Sequence, residues 1–237
     1  MRVRFRTACL IAGCVATLLA AACSTPTSPD ETATSTPATT APATAMYRVI
    51  FQATWSATTH PVDIPSTPHF SRLVGGTHNG STRFWAAGAL ASAGIKDMSE
   101  EGNVSPLDEE VSAAVTAGSA ALVLLGDPIP NSPGSASLEF QIPQTHPLVT
   151  LVSMVAPSPG WFVGVSALAL FENGQWVAER RIDLVPWDAG TDSGSTFMSP
   201  NQVTAPPQPI SRIVTSPLSP SGNVSALGTF TFTRLPS

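Results

Sequence analysis

Cysteine disappears early in this sequence: the three present are Cys9, Cys14 and Cys23, and none follows. Residues 24–237 therefore cannot form an intrachain disulfide, even in an oxidising compartment, and their stability must come from packing. Charge is also scarce. Only 11% of residues are Asp, Glu, Lys or Arg, with 11 basic against 16 acidic side chains. Arg2, Arg4 and Arg6 fall in a segment expected to be removed, which leaves eight basic side chains and a net charge of about −8. Such a surface repels phosphate backbones, so nucleic acid is excluded as an expected partner. Long apolar runs are absent too. The longest, Thr7 to Ala22, has 16 residues, short of the ~20 that span a bilayer as a helix. Proline and glycine, by contrast, are plentiful at 23 and 17 residues. That excess disfavours long helices and favours short strands joined by turns.

The N-terminus carries the marks of export. Three arginines precede an apolar stretch of signal-sequence length, which contains Leu10, Ile11, Val15, Leu18 and Leu19. It ends in Leu19-Ala20-Ala21-Ala22-Cys23, which resembles a bacterial lipobox in which Cys23 is acylated and becomes the new N-terminus. Ile11-Ala12-Gly13-Cys14 fits the lipobox letters better, but it leaves only a short apolar region. Cys23 is the expected lipidation site and residues 1–22 the signal peptide. The alternative is an ordinary cleaved signal with a free cysteine. Residues 23–45 read as the lipidated cysteine and a disordered tether. Ser24 to Ala45 holds eight Thr and four Pro among 22 residues, with almost nothing larger than Ala to bury.

Residues 46–237 read as one domain, large enough to bury a core. Strand-like runs are Tyr47 to Trp55, Arg83 to Ala86, Ala120 to Leu125, Ser135 to Ile142, Leu148 to Val155, Trp161 to Phe171, Trp176 to Leu184 and Ala226 to Arg234. Ser135 to Ile142 and Thr229 to Leu235 alternate with period two, as half-buried strands do. Asn173-Gly174 marks a hairpin turn. Leu107 to Ala117, with Asp108, Glu109 and Glu110 at its start, is the best helix candidate. The pattern predicts an all-β protein, an antiparallel β-sandwich with one or two short helices in the connections.

Several strings occur in order and at consistent spacing. They are Trp55-Ser56, Thr59-His60-Pro61, His69-Phe70-Ser71, Ala91-Ser92-Ala93-Gly94, Glu101-Gly102, Pro157 to Val165, Asp183 to Gly194 and Ser199-Pro200-Asn201. Over most of Tyr47 to Pro209 the sequence resembles the spondin N-terminal domain family. The resemblance implies a C2-like sandwich with a calcium ion held by loops at one end, and an adhesive extracellular role.

Asp188 and Asp192 follow a strand ending near Trp187, with Gly190 and Gly194 allowing a tight turn. By the resemblance these two Asp residues match calcium ligands. A third family ligand, an Asp, is replaced here by Gly160. Ser158, Asn201 or water are the expected substitutes, and weak binding, in the ~10⁻⁴–10⁻³ M range of extracellular modules, is the expectation. The competing reading is that both Asp side chains simply cap turn amides.

Other patterns carry little. The twelfth position of a loop starting at Asp188 is Ser199, so this is no EF-hand. Asp192-Ser193-Gly194 lacks the second triplet of an aspartic protease. His60, His69 and His78 are nine apart without a zinc spacing and read as turn or surface residues. There is no Gly-x-Ser-x-Gly elbow and no phosphate loop. The tryptophans read as core and loop anchors, with Trp161 a candidate for exposure at the loop end. The leading functional expectation is a non-catalytic surface module. It would be anchored to the membrane by lipid and would bind a surface protein or glycan. A metal-dependent envelope hydrolase and a structural lipoprotein are the alternatives.

Overall fold

The computed structural model describes residues 41–236. The expected signal segment, Cys23 and the expected tether up to residue 40 lie outside the described residues. In chain order the elements are β1 (Thr44–Ala53), β2 (His69–Phe70), β3 (Val74–His78), α1 (Ala93–Glu101), α2 (Leu107–Thr116), β4 (Ala120–Leu125), β5 (Gly134–Pro143), β6 (Leu148–Ala156), β7 (Trp161–Ala169), β8 (Phe171–Glu172), β9 (Gln175–Trp176), β10 (Glu179–Leu184), β11 (Trp187–Asp188), β12 (Ser211–Arg212) and β13 (Gly228–Arg234).

Two antiparallel sheets make the all-β sandwich that the strand pattern predicts. One has the order β10-β13-β1-β5; the other runs β12-β11-β7-β6-β3-β4, with β2 paired to β6. The first sheet wets one face. In β1 exposure alternates strictly, so Tyr47, Val49, Phe51 and Ala53 point inward while Arg48, Ile50 and Gln52 face solvent. The second sheet is covered on both faces, and β6 is buried at eight of its nine positions. Against one face pack the aromatics of the first sheet, Phe51, Phe230 and Phe232 among them. Against the other lie Ile95 and Met98 of α1 and Leu107 and Val111 of α2. This two-sided burial explains why Leu148 to Val155 is continuously apolar rather than alternating.

Three details differ from the sequence reading. Arg83 to Ala86 forms no strand; Phe84 and Trp85 are buried loop anchors instead. β3 was hidden by its Gly75-Gly76 pair, which looks like a strand breaker. A Cβ on Gly75 would sit 2.0 Å from the Thr150 carbonyl oxygen, so the close β3–β6 approach demands glycine. Ordered structure also begins before Met46. The carbonyl of Pro42 accepts from Trp176 Nε1 at 2.7 Å and from Gln144 Nε2 at 2.8 Å, so residues 41–45 belong to the fold rather than the tether. The Asn173-Gly174 turn closes the β8–β9 hairpin with φ of 53° and 76° at its two residues.

Candidate functional site

At one end of the second sheet, Trp187 pairs with Phe162 and Asp188 with Trp161. This sets the Pro157–Gly160 turn beside the loop that carries both Asp residues. The Ala189 amide donates to the Gly160 carbonyl at 3.0 Å and ties the two together. Gly190 has φ of +76°, and a Cβ there would meet the Gln208 carbonyl oxygen at 2.1 Å, so the turn admits no other residue without rearrangement. Asp188 Oδ1 accepts the Gly190 amide at 2.7 Å. Asp192 is 6% exposed and accepts two amides, Gly194 at 2.6 Å and Gln202 at 2.8 Å.

Both Asp side chains therefore cap turns, yet they open onto different spaces. Asp188 lines a groove of about 340 Å³ with Trp161, Ser211 and Arg212. Asp192 lines a cleft of about 160 Å³ with Glu100, Ser158, Ser199 and Asn201. Burial pushes the Asp188 carboxyl above its ordinary range. The Gly190 amide opposes that shift and the Asp192 charge adds to it. Among the described residues no group of three or more His, Cys, Asp or Glu side chains is arranged to hold a metal. What the Asp192 cleft offers is three carboxylates, Glu100, Glu101 and Asp192, and neutral oxygens. Ser158 and Asn201, the substitutes expected from the sequence, line it.

Glu100 was not anticipated. Its side chain is 7% exposed; Oε2 accepts from Lys96 Nζ at 2.8 Å, while Oε1 is buried with no partner. A Cβ on Gly160 would lie 3.5 Å from Glu100 Cγ and 3.9 Å from Asp192 Cβ, so the bare glycine faces both carboxylate stems. Caps fix the ends of the helix that carries Glu100: Ser92 accepts the Ile95 amide, and Gly102 closes α1 in the left-handed conformation. An orphaned carboxylate oxygen among hard oxygen donors fits calcium better than a soft metal.

The other candidates separate. His60 and His78 are buried and His69 is half-buried. His78 is held by Thr150 Oγ1 and the Asn79 carbonyl, which corrects the surface reading for two of the three histidines. Trp161 is 3% exposed and belongs to the core, not to an exposed loop tip. Cys23 lies outside the described residues. A second surface feature is a groove of about 440 Å³ lined by Trp85, Trp187, Arg83, Arg212 and Asp183. The two indoles meet edge-on at 5.2 Å, and the Arg212 guanidinium lies 5.4 Å from the Trp187 ring centroid.

A family model described as Spondin_N matches residues 45–224. The chain belongs to the Spondin_N family. Human spondin-2 is 35% identical over 178 residues, covering 73% of this chain and 54% of that protein. Mouse spondin-1 is 39% identical over 175 residues, covering 70% of this chain and 21% of that protein. The chain thus spans about half the length of spondin-2 and about a fifth of spondin-1. The spondin match begins beside the start of β1. It ends at residue 224, before β13, which pairs with β1 along seven residues. The folded unit therefore extends past the matched segment. Among the described residues no helix is long and apolar enough to cross a membrane.

Proposed function

We propose that this chain is an exported, lipid-tethered recognition module that binds a surface protein or glycan without transforming it, and that calcium shapes its loop end. The observation that carries the reading is the Spondin_N match, which spans nearly all of the described fold. The calcium part is supported by the Asp188–Asp192 loop. There a half-buried carboxyl already pushed upward by burial lies within the field of a second, buried carboxylate. A bound cation would neutralise that repulsion and fix the loop, and Asp188, Asp192 and the neutral oxygens beside them would hold it. For the ligand face, the groove beside Trp187 offers a partly exposed indole, backed by the buried Trp85, with two arginines and Asp183 at its edges. This mixture of flat apolar area and few polar groups suits a sugar ring or an aromatic-rich peptide.

The test is a binding screen of the full-length chain in detergent against glycans and matrix proteins, with calcium or with chelator. A panel of generic hydrolase substrates runs in parallel. We expect calcium-enhanced binding to at least one surface ligand, weakened by Trp187→Ala or Arg212→Ala, and no turnover. Steady turnover of a hydrolase substrate would overturn the non-catalytic reading.

A further inference from the structure

We propose that Glu100, at the C-terminal end of α1, is a ligand of a calcium-class cation that sits in the cleft it shares with Asp192. This rests on the reading above that the loop end binds calcium, and it adds a residue from outside the loops. The first observation is the orphaned oxygen. Burying a carboxylate oxygen without a partner is costly, and such groups in native folds mark a missing ligand or water. Glu100 Oε1 is buried and unpartnered although its side chain is 7% exposed, while Lys96 occupies only Oε2. The second is the chemistry around it. Glu101, Ser158, Ser199, Asn201 and Asp192 line the same cleft of about 160 Å³, so the side-chain donors Glu100 would share there are oxygen donors. Neither sulfur nor imidazole lines that cleft, and calcium takes 6–8 oxygens in irregular geometry. The third is room: nothing from Gly160 occupies the space between the Glu100 and Asp192 stems.

The Asp192 caps do not compete with this role. A carboxylate has about four lone-pair sites, and two amides leave the rest for a cation. Glu100 is then an added ligand on the Asp192 side of the loop.

Calcium titration by calorimetry on the full-length chain in detergent tests the assignment, with melting curves in calcium and in chelator. We expect the parent to bind one calcium, and Glu100→Gln to weaken binding about tenfold or more, at least as much as losing an outer-shell partner does. In chelator, Glu100→Gln is expected to melt no lower than the parent, because it removes a buried charge whose Oε1 has no partner, and the ion pair it gives up is to a partly exposed lysine. A Cβ at residue 160 would lie in ordinary contact with Glu100 Cγ, at 3.5 Å, and with Asp192 Cβ, at 3.9 Å. Gly160→Asp in the Glu100→Gln background should therefore recover most of the lost affinity, which a merely misfolded variant would not do. Unchanged affinity in Glu100→Gln overturns the Glu100 assignment and leaves the calcium loop standing. No heat and no melting shift in the parent overturns both.

Discussion

His78 shows how one buried polar side chain is made tolerable here. It has no solvent exposure, and its two ring nitrogens face unlike partners: Nδ1 the Asn79 carbonyl at 2.9 Å and Nε2 the Thr150 hydroxyl at 2.8 Å. The arrangement suits one neutral tautomer, with Nδ1–H donating to the carbonyl and Nε2 accepting from the hydroxyl. Thr150 Oγ1 in turn accepts the Ala167 amide at 3.1 Å, where the β6–β7 register shifts. Burial lowers the His78 pKa, with Arg83 and His146 adding to the shift and carbonyls at Asn79 and Thr82 opposing it. Burial lowers His60 as well, and its Nε2 has no partner. For a histidine depressed in the folded state, the unfolded chain binds the proton more tightly. The stability it contributes is present above the unfolded value of about 6.5 and is lost as pH falls toward the folded value. The raised Asp188 works in the opposite sense, but in the carboxylate range at lower pH. We therefore expect the melting temperature to fall between about pH 7.5 and pH 5.5, with a shallower slope in His78→Gln. Melting curves that superimpose across that range would show the histidines carry no linkage.

At the scale of elements, the two helices are clamped by a single carboxylate. Glu110 of α2 accepts Ser92 Oγ at 2.7 Å and the Gly94 amide at 2.7 Å, both at the start of α1. It satisfies donors that an α-helix N-terminus leaves open and sits where the helix dipole favours negative charge. Hydrogen bonds to a charged group contribute about 1.5–3 kcal/mol, so Glu110→Ala should cost a stability in that range. For a domain of this size that is a melting shift of about 2–4 °C per kcal/mol. A variant within about 1 °C of the parent would mean the clamp is not holding α1. The same element explains where sequence reading stopped. Strands β5 and β13 announced themselves by alternation, β1 as a run of β-forming residues, α2 by its acidic first turn, and β8–β9 by Asn173-Gly174. The short helix α1 has only Ile95 and Met98 as large buried side chains, and β3 hides behind two glycines whose close contacts are distant in sequence, Gly75 with Thr150 and Gly76 with Val111 and Leu122. Asp188 and Asp192 could be named because they share a local turn. Glu100 could not, because its meaning lies in a cleft assembled from α1, the Pro157–Gly160 turn and the loop after β11, and chain order does not encode that convergence.

On the scale of the whole molecule, one sheet serves as the middle layer between a second sheet and a helix pair, and this replaces what disulfides do in many small exported domains. Tyr47, Phe51, Phe70, Phe230 and Phe232 are all essentially inaccessible, and the four phenylalanine rings interlock edge-to-face. With that core inside residues 41–236 and every cysteine at or before position 23, attachment to a membrane becomes a separate matter from folding. The Thr/Pro-rich stretch after Cys23 has neither an apolar face nor a basic cluster. If the chain is held at a membrane after its signal is removed, acylation of Cys23 must do the holding. One acyl chain binds a bilayer only marginally, with K of about 10⁴ M⁻¹, so stable retention needs at least two on that residue. Cys23→Ser should then shift the processed protein from the membrane pellet to the soluble fraction. Its melting curve in detergent should match the parent's, with or without reductant, because no other thiol survives processing. Retention of the Cys23→Ser protein in a salt- and carbonate-washed pellet would show that something other than Cys23 anchors it, and the lipobox reading would fall.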